Sequence, residues 1–77
     1  MFTKIPIPRK KHDAYELLLQ ILPSLISEDD DEITILANSS SAIKYFIRGI
    51  SWVGFYLYKD GFLKLGPFQG LQACTKI

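Results

Sequence analysis

The sequence is poor in the residues that staple small proteins. Its 77 residues hold one Cys and one His. A single thiol excludes an internal disulfide, and no His/Cys cluster has zinc spacing, so neither a metal nor any other cofactor is expected. Without a staple, a chain of this length buries only about 60% of its unfolded surface and has a marginal core. Charge of one sign is also lacking: nine basic and eight acidic residues leave a net charge of +1. That balance gives no reason to expect nucleic acid or a charged membrane as partner. No apolar run approaches the ~20 residues of a membrane span. The charges near the N-terminus do not precede an apolar stretch as in a secretory signal. Together with the lone thiol, this leads us to expect a reducing, cytoplasmic setting. Internal repeats and low-complexity linkers are missing too. What the chain does have is apolar residues, 48% of the total, far from a disordered composition.

Most of the aromatic residues lie in Ile50–Gly70, which also holds the only Trp. Val53, Phe55, Tyr56, Leu57 and Tyr58 suit a pleated, buried strand. Asp60-Gly61 supplies the two positive-φ positions of a tight type I′ turn. With those two as the loop, Tyr58 lies opposite Leu63 and Tyr56 opposite Leu65. One face then carries Trp52, Tyr56, Tyr58, Leu63 and Leu65. The other carries Val53, Phe55, Leu57 and Phe62. Both faces are apolar, so the ribbon needs cover on both sides. Pro67 is expected to close the second strand, since it cannot donate to an interior ladder.

Upstream, residues 1–12 read as a solvated leader, with Pro6 and Pro8 excluding helix and Arg9-Lys10-Lys11 forming a basic triplet. His12 beside that triplet reads as a surface residue. Asp13 is the expected N-cap of a first helix, with Glu16 completing a capping box. Tyr15, Leu18, Leu19 and Leu22 give its apolar stripe, Leu17 and Ile21 widen the arc so that it meets protein on more than one side, and Pro23 ends or kinks it. Glu28–Glu32 is a run of carboxylates without the alternating ligands and fixed Gly of a calcium loop. It is expected to open a second helix at the positive end of the dipole. That helix carries Ile33, Leu36, Ala37, Ser40, Ile43 and Ile47 on one face, and Gly49 lies just past its end. Its small Ser39-Ser40-Ser41 segment allows close packing; a nucleophilic Ser would need a base that is not identifiable. Two helices and one hairpin over residues 13–77 read as the opening half of a larger domain.

Three segments carry a resemblance. Trp52-Val-Gly-Phe-Tyr-Leu57, Leu65-Gly-Pro-Phe-Gln-Gly70 and Ala73-Cys74 together resemble the free methionine-R-sulfoxide reductases, a GAF-domain family. Ala14–Leu18 and Leu22–Leu25 fit that family's first helix. The resemblance runs from about Tyr15 to Ile77 and covers the N-terminal half of the family's domain. It implies an α+β fold, a GAF-like antiparallel sheet flanked by helices, present here as an incomplete domain. It also implies reduction of free L-methionine (R)-S-oxide to methionine, with thioredoxin restoring the enzyme.

In the family, the attacking Cys lies in a later His-Ile-Ala-Cys-Asp segment and another Cys in a Gly-Val-Cys-Gly segment; neither is present in these residues. Cys74 matches the cysteine that resolves the sulfenic acid as a disulfide. Trp52 matches the aromatic wall of the substrate pocket, and Tyr56 is a second candidate to line it. On the residues alone, Cys74 reads as a small buried hydrophobe, and Trp52 suits core packing as well as a pocket wall. Ser51 and Leu71-Gln72 depart from the family's usual Asn and Lys-Pro. Activity is therefore expected only with a complementing C-terminal fragment. The alternatives are a non-catalytic GAF-type module binding a small ligand, or a degenerate gene product.

Overall fold

Asp31 decides where the longest helix begins. In the computed structural model, which describes residues 5–77, the Asp31 carboxylate accepts a hydrogen bond from the Thr34 amide at 2.8 Å. Helix α2 then runs Glu32–Phe46. The preceding acids form a turn, with the Ser27 amide donating to Asp30 Oδ2 at 3.0 Å and the Asp29 amide to Ser27 Oγ at 3.3 Å. The acidic run is thus turn and cap, and only Glu32 falls in the helix's first turn. The Thr34 amide and hydroxyl hold the Asp31 carboxyl below the usual carboxylate range. A lowered folded pKa means the charge stabilises the fold above that range, and this contribution is lost as pH falls through the folded value. Asp31→Asn keeps a capping oxygen without the charge. It should melt slightly below the parent at pH 7, the gap closing below about pH 4. Circular-dichroism melts at several pH values check this; a gap constant with pH would dismiss the charge.

Helix α1 spans Lys11–Ile21 and starts earlier than the sequence suggests. Its N-cap is Lys10, extended and without a side-chain cap. Asp13 sits inside the first turn, where it meets the helix dipole rather than capping an amide. Glu16 pairs with His12 at 3.1 Å, both exposed, instead of closing a capping box. The buried residues are Ala14 and Leu18, flanked by half-buried Leu17 and Ile21. The apolar stripe is therefore one residue upstream of the expected one, and Leu19 is 69% exposed. Small Ala14 supplies the close approach that Tyr15 could not. Pro23 ends the helix as expected, sitting at the start of a 3-10 turn, Leu22–Leu25, where its missing N–H costs nothing.

Every other element touches α2. Ser40, at its centre, is fully buried, and its hydroxyl donates to the Ala37 carbonyl at 2.9 Å. The small-residue segment thus packs closely, with its polar atom satisfied. Phe46 is buried at the end of the helix, edge-on to Tyr45 at 5.1 Å between centroids. Ile47 is already extended, so Gly49, with φ +89°, lies beyond the cap rather than at it. Arg48 turns back to the N-terminal segment. Its guanidinium donates to the carbonyls of Arg9 at 3.0 Å and Ile7 at 3.1 Å, and the Tyr45 hydroxyl to that of Ile5 at 2.9 Å. The carbonyls of residues 5, 7 and 9 are thereby tied to Tyr45 at the end of α2 and to Arg48 just beyond it, while most of residues 5–12 stay exposed; Met1–Lys4 of the expected leader lie outside the described residues.

The hairpin follows its expected register. Strand β1, Val53–Lys59, pairs antiparallel with β2, Phe62–Gln69, setting Tyr58 opposite Leu63 and Tyr56 opposite Leu65. Asp60 and Gly61 take φ +50° and +83° at the turn. The second strand, however, continues through Gly66-Pro67. A bulge places these two residues opposite Phe55, beyond which Gly54 pairs with Phe68. Pro67 is tolerated because a bulged residue has no ladder partner to donate to. On the far side of β2, residues 75–77 add a short antiparallel rung. Leu63 and Ile77 exchange amide–carbonyl bonds at 2.9 and 2.8 Å, and the Leu65 amide donates to Thr75 at 2.9 Å.

Much apolar surface stays open, including Tyr58 and Leu71. The radius of gyration is 13.8 Å, against roughly 11–12 Å for a compact domain of this length. Among the described residues no helix is long and apolar enough to cross a membrane.

Candidate functional site

The site grows from the alternation of β1. Trp52, Gly54 and Tyr56 point to one face of the hairpin. An unbroken register would set Phe68 opposite Val53, on the other face. The bulge moves it one step, opposite Gly54 and beside Trp52. The result is a row of three rings. Phe68 stacks on Trp52 at 5.6 Å with 18° between planes, and Trp52 on Tyr56 at 6.4 Å and 29°. Gly54 is the floor of this row: a Cβ there would lie 2.5 Å from Phe68 Cβ and 2.7 Å from Trp52 Cη2.

The polar atoms of the row face the segment after β2. Trp52 Nε1 donates to the Leu71 carbonyl at 3.0 Å, and the Tyr56 hydroxyl to the Cys74 carbonyl at 2.8 Å. Gly70, with φ +130°, brings the chain against the indole; a Cβ there would stand 2.7 Å from Trp52 Cδ1 and 2.8 Å from the Ser51 carbonyl. Both the positive φ and the contact require glycine. Trp52 and Tyr56 are half-buried, and Cys74 is exposed with a free thiol. That exposure overturns the reading of Cys74 as a buried small hydrophobe.

The three residues singled out in the sequence are thus brought together, with the Cys74 main chain in direct contact with Tyr56. Phe68, Gly54 and Gly70 were not among them. Gly54 was legible as the empty position between Trp52 and Tyr56 in the alternation, but Phe68 required the bulge. Two other clusters stay outside the site. The carboxylates of residues 28–32 serve as turn, cap and first turn of α2. His12, Asp13 and Glu16 lie close enough to share an ion, but all three are exposed on the first turns of α1.

Two helices packed on an antiparallel hairpin, with an aromatic face and a bulged second strand, are part of an α+β sheet domain of the GAF class. The chain superposes on a GAF sensor protein from Burkholderia vietnamiensis with a TM-score of 0.81 and 34% identity, covering 88% of this chain and 43% of that one. Within the class, the chain is a relative of the free methionine-R-sulfoxide reductases over less than half of their length. It is 37% identical over 67 residues to the Escherichia coli enzyme, covering 87% of this chain and 41% of that protein. It superposes on the Staphylococcus aureus enzyme in complex with its substrate with a TM-score of 0.78 and 38% identity, covering 99% of this chain and 46% of that one. No family model matches the chain. The chain spans less than half the length of the curated relatives it matches.

Proposed function

We propose that this chain contributes the aromatic wall and the resolving thiol of a reductase acting on free L-methionine (R)-S-oxide. The observation that carries the reading is the union of Trp52, Tyr56 and Cys74 in one unit, within a fold related to a reductase solved with its substrate. A Trp face suits the methyl-sulfur end of methionine sulfoxide, since polarisable sulfur packs well on aromatic rings. Chemistry then needs two thiols. An attacking thiolate takes the sulfoxide oxygen, releasing methionine and leaving a cysteine sulfenic acid. The Cys74 thiolate attacks that sulfenic sulfur, a disulfide forms, and the oxygen leaves as water. Thioredoxin, a dithiol, returns both cysteines to thiols and is itself oxidised, in keeping with a cytoplasmic setting.

Cys74 is the single cysteine of the 77 residues, and one thiol cannot both attack and resolve. The attacking thiol therefore belongs to a complementing segment, which would also cover the open apolar surface of the hairpin. The purified 77-residue chain should not turn over methionine-R-sulfoxide with thioredoxin. Adding a fragment that bears the missing cysteines should produce turnover, and Cys74→Ser in that mixture should remove the thioredoxin-dependent rate. Turnover by the chain alone would overturn this mechanism.

The single thiol also favours a second reading, a GAF-type module that binds a small ligand without redox chemistry. It predicts saturable heat on titration with methionine sulfoxide and no change on Cys74→Ser. No heat with methionine sulfoxide or cyclic nucleotides would count against it. A degenerate product without a folded function would show a collapsed amide spectrum by NMR.

A further inference from the structure

We infer that Trp52 and Tyr56 are positioning residues for Cys74, a clamp that fixes the main chain on both sides of the thiol. The inference rests on the reading of Cys74 as the resolving thiol. Residues 71–74 have no helix or strand of their own, so their placement must come from elsewhere. Three attachments supply it. Gly70 is wedged against the indole. Trp52 Nε1 holds the Leu71 carbonyl at 3.0 Å, and the Tyr56 hydroxyl holds the Cys74 carbonyl at 2.8 Å. From Thr75 onward the chain is a rung of the sheet, bonded to Leu63 and Leu65. The four residues are pinned at both ends while the Cys74 side chain stays exposed.

The same geometry limits what the two rings can do for a substrate. The indole N–H is donated to Leu71 and the phenol proton to Cys74. Neither is available to a sulfoxide oxygen, so the rings meet a ligand through their faces and hold the thiol through their polar atoms. Fixing the thiol raises its effective concentration toward an incoming sulfenic acid, which is where a resolving cysteine gains rate.

Tyr56→Phe separates these roles, because it keeps the ring and removes the hydroxyl. Loss of one such hydrogen bond should speed amide exchange at Leu63, Leu65 and Ile77 about three- to tenfold, with β1–β2 amides near the turn unmoved. Trp52→Phe should do the same through Leu71. Both measurements use the 77-residue chain by itself. In the complemented reductase, Tyr56→Phe should lower the rate of disulfide formation by a similar factor and leave KM for methionine-R-sulfoxide unchanged. Unaltered exchange in both variants, or a raised KM with unaltered exchange, would overturn the clamp and return Tyr56 to the substrate wall. Failure of the complemented parent to turn over would instead sink the reductase reading, while the exchange result would still decide whether the clamp exists.

Discussion

Phe46→Ala unfolds most of the chain at 25 °C. Phe46 is 4% exposed, and among the described residues Ala14 and Leu18 are the other buried apolar side chains. Truncating a buried Phe to Ala costs about 3–5 kcal/mol, from lost transfer energy and the cavity left behind. A core in a chain this short supplies roughly 3–5 kcal/mol in total, so the two quantities meet. The side chain also sits at the end of α2, the element that touches all the others, and its loss loosens the helix against the sheet and the strap on residues 5–9 together. Circular dichroism at 222 nm and the emission of the single Trp should both move to the unfolded values. Phe46→Leu, which retains most of the volume, should leave a cooperative melt at lower temperature. A Phe46→Ala chain that melts like the parent would place the stabilising core elsewhere.

The parts of this fold that local chemistry decides were legible in the sequence, and the parts that depend on a remote partner were not. Asp60-Gly61 is the only pair in the hairpin region that supplies two adjacent positive-φ residues, so turn and register followed from two letters. Pro23 ended its helix for the same reason: a missing N–H acts within one turn. Spacing alone does not choose the buried face of the first helix: two overlapping stripes, 14-17-18-21 and 15-18-19-22, share Leu18 and fit it equally. The choice between them was made by contact with α2. Pro67 does not end the strand, because the rule that excludes proline from a ladder does not apply inside a bulge, and the bulge has no local signature. At the site, the identities of Trp52, Tyr56 and Cys74 came from their motif. The hydrogen bond that joins the last two spans 18 residues, and no spacing rule reaches across a turn, a bulge and a loop. The strap of Arg48 and Tyr45 on the carbonyls of residues 5, 7 and 9 escaped for the same reason, since main-chain acceptors carry no side-chain signature.

Gly54→Ala should dismantle the aromatic row. The added methyl would meet Phe68 Cβ at 2.5 Å, Trp52 Cη2 at 2.7 Å and Phe68 Cα at 3.1 Å. The indole tip can swing aside, but Phe68 is held by its cross-strand pairing with Gly54, so the strands must part or the ring row must break. Overpacking of this kind costs about 1–3 kcal/mol, a large share of what a chain of this size has. The functional consequence exceeds the loss of stability. Once the indole moves, Nε1 leaves the Leu71 carbonyl, and the surface offered to a ligand is no longer flat. We expect a lower melting temperature, a red shift and broadening of the Trp emission, and faster amide exchange at Leu63, Leu65 and Ile77. Gly61→Ala is the control. It sits at φ +83° with nothing within 4 Å of the added carbon, so it strains the turn without touching the rings. It should lower the melting temperature while leaving the emission where it is. If Gly54→Ala shifts neither melting nor emission, Trp52 does not rest on Gly54, and the row, the clamp and the pocket wall built on it fall together.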